Sequence, residues 1–296
     1  SNQADKLVRR QPSCTILFHP SGRVSILSRP PSPLSLQMSR AIAFFGATGG
    51  CAGHALAHSL NAGYDCRALA RTPSKLIAAT NEKGVSIETI EKHLTVIEGN
   101  VKDVEAVKQT LSLGDGTGRV VDMVVSGIGG TPALQWSLRR PVVLTDRTVC
   151  QDAISTILEA LRRLKSSIRP SLFTVSTTGI SPKPKPRDVP LLFVPFYMWA
   201  LQDPHEDKKV MEERLADHML LPHGQQVLET YVNVKASLLM DGPGMGLEKV
   251  REGIDEKPAI GYTIQRADVG KWIFERLVDA PAVKEVWRGK SVTVTY

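Results

Sequence analysis

The stretch FFGATGGCAGHALAHSL, Phe44–Leu60, places several small residues between an apolar run and a segment of helical period. If AIAFF is a strand and a helix starts near Cys51, then Gly46, Ala47, Thr48, Gly49, Gly50, Cys51 and Ala52 form the turn between them. Such a turn offers unpaired backbone N–H groups and the positive end of a helix dipole to an anion. Gly46 permits the tight turn, Gly49 lets the backbone approach a diphosphate, and Ala52 keeps the helix near the strand. The spacing is G-x-x-G-x-x-A rather than G-x-G-x-x-G, so this turn alone leaves a plain flexible connection open.

The next apolar run supplies an independent test. It reads CRALARTPSKL, with no Asp or Glu at its end to accept hydrogen bonds from a ribose. Arg71 stands there instead, followed by Thr72, Ser74 and Lys75. A guanidinium grips phosphate through several charge-assisted hydrogen bonds, and a nearby ammonium adds to the field. Two cations beside a helix start oppose its dipole, which an anion there would explain. The expected cofactor is NADP(H) rather than NAD(H).

Other reactive side chains give less. Cys14, Cys51, Cys66 and Cys150 are far apart, with no C-x-x-C pair, so neither zinc nor a disulfide framework is expected. Cys51 reads as a small residue in a crowded helix start. His54, His58 and His218 form no recognisable metal set. Tyr231 and Lys235 have the spacing of a catalytic Tyr-x-x-x-Lys pair, but TYVNVKA alternates like a strand. Four strand positions span about 13 Å, against roughly 6 Å for one helical turn. His205 and Lys209, in DPHEDKKVMEERL, share a helical face and are better placed, although the same helix is rich in exposed-type acids. Phe193, Phe196, Tyr197 and Trp199 read either as a stacking surface for a flat substrate or as contacts that pin a loop.

The elements that must carry these residues recur in order. AIAFF, DCRALA, HLTVIEG, VDMVVSG, SLFTVST and TYVNVKA alternate with helical segments such as HALAHSLNAG and CQDAISTILEALRRLKSS. That rhythm predicts an α/β fold with a doubly wound parallel sheet, the Rossmann arrangement, in a single domain over 39–296. Pro- and Gly-rich insertions at about 177–204 and 236–262 would build a small substrate-binding subdomain at the ligand edge.

Residues 1–38 are rich in Ser, Arg and Pro and read as a disordered or loosely ordered basic tail. Met38 reads as a natural start, with the stretch before it an extension. Of the formal charge of +7, +5 lies in the first 40 residues, so the folded part is nearly neutral and nucleic acid is not an expected partner. No apolar run approaches the roughly 20 residues that span a bilayer. The expected localisation is cytoplasmic; mitochondrial targeting is the other reading of the tail, although its prolines break the amphipathic helix targeting requires.

FFGATGGCAG, ALARTPSKL, EGNVKD, VVSGIGG, VSTTGIS and IQRADVGKWI, in this order, resemble the atypical short-chain dehydrogenase/reductases, specifically the NmrA-like NAD(P)-binding group of fungi. Biliverdin-IX-beta and flavin reductases share the layout more distantly. The resemblance implies that Asn100 and Val101 close over the adenine, where an acidic residue usually precedes the hydrophobic one. It implies that Ser126 and Gly127 border the nicotinamide ribose and that Ser176 and Thr177 border the nicotinamide, one of them polarising a substrate carbonyl. Asp268 would cap a helix while Val269 packs. The His205/Lys209 helix would take the place of the usual Tyr/Lys helix, Lys209 serving the cofactor ribose or the carbonyl and His205 serving as proton donor. The expected protein is a monomeric or homodimeric NADPH-dependent reductase of a small aromatic or conjugated carbonyl or quinone-type compound, in specialised metabolism. The alternatives are an NADP-sensing regulator without turnover and a redox-neutral isomerase or dehydratase.

Overall fold

The computed structural model describes residues 40–130, 132–134, 142–181, 186–195, 202–280 and 282–296. The basic tail lies outside the described residues, as do Phe196, Tyr197 and Trp199.

The central sheet has eight strands: β1 (Ala41–Phe45), β2 (Asp65–Ala70), β3 (Leu94–Glu98), β4 (Met123–Ser126), β7 (Ser171–Thr177), β8 (Thr230–Ala236), β10 (Arg251–Ile254) and β12 (Lys290–Thr295). Their order is β10-β12-β8-β7-β4-β1-β2-β3, all parallel except the β10 edge. Two small pairs lie outside it: β5 (Pro132–Leu134) with β6 (Val142–Leu144), and β9 (Leu238–Met240) with β11 (Thr263–Gln265). This is the doubly wound arrangement, with its reversal between β1 and β4, where ligands of such sheets bind.

The strands alternate between two cores rather than between core and water. Ile42 and Phe44 of β1 enter one core with α1 (Gly50–Asn61), α2 (Pro73–Glu82), α3 (Ile87–His93) and α7 (Arg266–Ile273). Ala43 and Phe45 enter the other with α4 (Val104–Leu111), α5 (Val149–Leu164) and α6 (Gln202–Leu220). A sheet covered on both faces therefore gives continuous apolar runs in sequence.

Polar α6 holds on through a narrow stripe, Asp203, Asp207, Met211, Leu215 and His218. The Asp207 carboxylate accepts the N–H groups of Cys150 (2.9 Å) and Gln151 (3.0 Å), so a side chain of α6 satisfies the start of α5. The Asp203 carboxylate meets Arg147 at 3.1 Å, and His218 Nε2 accepts the N–H of Val227 at 3.0 Å.

The insertion expected over 236–262 is partly regular. β10 extends the main sheet and β9 joins β11. β10 carries no sequence signal, because REGI has no apolar face and a charged edge strand gives no period-2 pattern. The Gly242–Gly246 turn is fixed by α7: Gln265 Oε1 accepts from Gly244 N at 2.6 Å, and Asp268 accepts from Met245 N at 2.6 Å and Gly246 N at 3.2 Å. Asp268 thus holds this turn and the Tyr296 hydroxyl instead of capping its own helix. Val269 packs in the core as expected.

Helices α1 and α7 approach through glycine. A Cβ at Gly270 would stand 2.6 Å from the Cys51 carbonyl oxygen and 2.9 Å from Ala55 N, both backbone atoms that cannot rotate away. Gly270→Ala is expected to cost about 1–3 kcal/mol, the usual penalty of overpacking, in urea denaturation, with far-ultraviolet circular dichroism unchanged.

Candidate functional site

At the reversal point the backbone itself is packed against backbone. Gly46 has φ +74°, and a Cβ there would lie 2.9 Å from Gly127 C, Gly127 O and Ile128 N. Gly127 in turn faces Ala52, whose backbone N would be 3.4 Å from a Cβ at Gly127. The turn after β1, the start of α1 and the turn after β4 thus form one close-packed unit. Gly49 N donates to the Gly46 carbonyl at 3.0 Å, and no side chain caps α1 or places an acid in its first turn.

A cleft of about 400 Å³ opens over this unit. Of the expected residues, Gly46, Thr48, Gly49, Arg71, Lys75, Asn100, Val101 and Gly127 line it. Ala47, Cys51 and Ala52 pack beneath as core. Gly50 opens the helix, and Thr72 starts α2, where its carbonyl accepts from Lys75 N and Leu76 N. Arg71 and Lys75 are exposed, and their side chains make no hydrogen bond or ion pair among the described residues. Asn100 Oδ1 accepts from Lys102 N at 3.0 Å, which shapes the turn and leaves its amide free to donate. Burial pushes the Cys51 thiol up to about 12, so it is no nucleophile at neutral pH.

Thr145, Asp146 and Val149 form the far wall, which carried no sequence signal. Lys102 ties that wall to the Asn100 turn through Asp146 (2.8 Å) and Asp152 (3.0 Å), and its hydrogen bond holds the Asp146 carboxyl below the usual range.

The residues expected near the nicotinamide are arranged differently. Ser126 and Ser176 are buried and do not line the cleft, nor does Thr177, whose hydroxyl turns to the Thr178 carbonyl at 3.2 Å. Ser176 Oγ donates to Glu212 Oε1 of α6 at 2.5 Å. Lys209 is exposed, 3.7 Å from Glu213. His205 is desolvated enough to push its pKa down to about 4, so it is neutral at physiological pH and a poor proton donor. Lys208, which the sequence reading passed over, points inward. Its ammonium donates to the carbonyls of Ile128 (2.7 Å) and Val175 (2.6 Å), bridging the carboxyl ends of β4 and β7. The apolar pair Met211 and Leu215 was the available signal, since it fixes the helix face that Lys208 flanks.

Lys235 is fully buried, with Asp255 at 3.0 Å, Ser181 at 3.0 Å and Glu212 at 3.3 Å. Burial works to lower its pKa, but the two carboxylates outweigh that and hold it above the ordinary value; burial pushes Glu212 up. The Tyr231/Lys235 pair does lie in a strand, as expected. Phe193 packs edge-to-face on Tyr262, ring centroids 4.9 Å apart, which joins the two insertions.

No helix among the described residues is long and apolar enough to cross a membrane. The NAD(P)H-binding family pattern matches residues 46–280. The chain is 46% identical over 261 residues to reductase pytE of Aspergillus terreus, covering 86% of this chain and 97% of that one. It is 36% identical over 284 residues to oxidase pynE of Aspergillus niger, covering 86% and 98%. Among solved structures it resembles ChuY, an anaerobillin reductase from Escherichia coli O157:H7, with TM-score 0.55, 17% identity and coverage of 86% and 96%. A glycine turn at a sheet reversal, the family match and relatives named as reductase and oxidase converge: the chain belongs to the NAD(P)H-binding family and is an oxidoreductase on a Rossmann-type fold.

Proposed function

We propose that the chain is an NADPH-dependent reductase of a small aromatic or conjugated carbonyl compound, an atypical short-chain dehydrogenase/reductase of the NmrA-like type serving specialised metabolism. The observation that carries this reading is the pair Arg71 and Lys75, two cations without side-chain partners among the described residues, on the wall of a cleft beside an uncapped helix start. In this reading the N–H groups of the glycine turn hold the diphosphate, Arg71 and Lys75 hold the 2′-phosphate, and Asn100 and Val101 flank the adenine. When bound, the nicotinamide supplies the hydride.

The chain's own part is positioning. Lys208 rather than Lys209 serves the ribose end, since two of its three donors already fix the edges of β4 and β7. Ser176 acts from behind the site through Glu212. Exposed Leu191, Leu192, Ile260 and Tyr262 around the Phe193 contact favour an apolar substrate between the insertions.

One observation favours the sensor without turnover: Pro204 stands four residues before Lys208, where a Tyr/Lys helix carries its phenol. NADPH oxidation with a panel of quinones and conjugated aldehydes separates the two. Acceptor-dependent consumption is expected; tight NADPH binding with no consumption by any acceptor would establish the sensor instead. Arg71→Glu is expected to reduce the preference for NADPH over NADH by about ten- to a hundredfold, the scale of a lost charge-assisted hydrogen bond, in titrations of both cofactors. An unchanged ratio would refute the assignment of the 2′-phosphate.

A further inference from the structure

Arg266 opens α7, and its side chain crosses Gly50 at the start of α1. A Cβ at Gly50 would overlap Cδ of Arg266 and lie 2.9 Å from its Cβ and Cγ, so the absent side chain at Gly50 is what admits the arginine. The guanidinium charge is felt at Cys51, where it opposes the effect of burial on the thiol, and Lys208 acts in the same sense. A cation is thus held where the positive ends of two helices meet; the acid in the first turn of α7, Asp268, is taken up by the N–H groups of Met245 and Gly246 and by the Tyr296 hydroxyl, and the first turn of α1 contains no acid.

That placement is unfavourable unless an anion joins it. The counterion at hand is Asp241, 2.8 Å away on the glycine-rich turn, but its side chain is 91% exposed. An ion pair so open to water contributes about 0–1 kcal/mol and does not account for the arrangement. The Arg266 side chain is itself one-third exposed, so a ligand can reach it.

We infer that Arg266 clamps the diphosphate of the dinucleotide over Gly50, exchanging Asp241 for phosphate oxygen when the cofactor enters. The inference rests on the reading that a dinucleotide occupies the glycine-turn cleft. It gives the RADVG segment a binding role beyond its packing, and makes Asp241 a competitor that holds the clamp in its free state.

Calorimetry with NADPH, and with adenosine 2′-monophosphate, which lacks the diphosphate, tests the clamp. Arg266→Met keeps the aliphatic stem over Gly50 and removes the charge. It is expected to weaken NADPH binding about ten- to a hundredfold and to leave the monophosphate unaffected. Arg266→Lys, which keeps the charge and loses the fork, should fall between and covers the case in which the Met variant does not fold. Asp241→Asn should tighten NADPH binding severalfold. The clamp is refuted if Arg266→Met binds NADPH like the wild type, if both ligands weaken equally, or if Asp241→Asn weakens NADPH binding as Arg266→Met does. A wild-type chain that binds neither NADPH nor NADP would remove the cofactor reading itself, an outcome distinct from a silent Arg266 variant.

Discussion

The close approach of Gly46 to Gly127, with Ala52 filling the space beside them, is the contact on which the rest of the molecule depends. It joins the turn after β1, the start of α1 and the turn after β4 at the point where strand order reverses. Any side chain at Gly46 would meet main-chain atoms, and its φ of +74° already disfavours one. The crevice above stays open because glycines, Gly46, Gly49 and Gly127, line it where side chains would fill it. Gly270 repeats the device behind α1 and brings α7 close enough for Arg266 to reach the same turn.

Electrostatics at this edge follow a division of labour between helices. The start of α1 has no acid and no cap, whereas the start of α5 is filled by the Asp207 carboxylate. The fold thus leaves one helix terminus available to an anion and closes the neighbouring one from within. Lys208 uses its charge on carbonyl ends of β4 and β7, where sheet polarity leaves acceptors unpaired.

Much of this was legible in the chain. Strands buried on both faces announce themselves as apolar runs, and all six anticipated runs are strands of the main sheet. The glycine turn and the Arg71/Lys75 pair could be read because local spacing alone brings them to one edge. What escaped was set by orientation or by distant partners. Lys208 and Lys209 are equivalent in composition, and only the phase of α6 separates them. Asp268 has the look of a helix cap, yet its partners lie more than twenty residues away, Met245 and Gly246 before it and Tyr296 after it. Lys235 lies in a strand whose valines face one core, while its own side carries Asn233 toward α6 and Ser291; no pattern within seven residues reveals that charge partners wait on that side.

The buried ammonium of Lys235 joins three separate stretches of chain: Ser181 beyond β7, Glu212 in α6 and Asp255 beyond β10. Removing any one partner leaves the buried ammonium short of charge or hydrogen-bond compensation, a larger loss than that of a surface pair. The two insertions therefore cannot be exchanged singly with those of a relative. A chimera that imports a new 178–195 or 241–262 segment must bring residues matching this junction, so alteration of specificity here proceeds by coordinated replacement rather than one loop at a time.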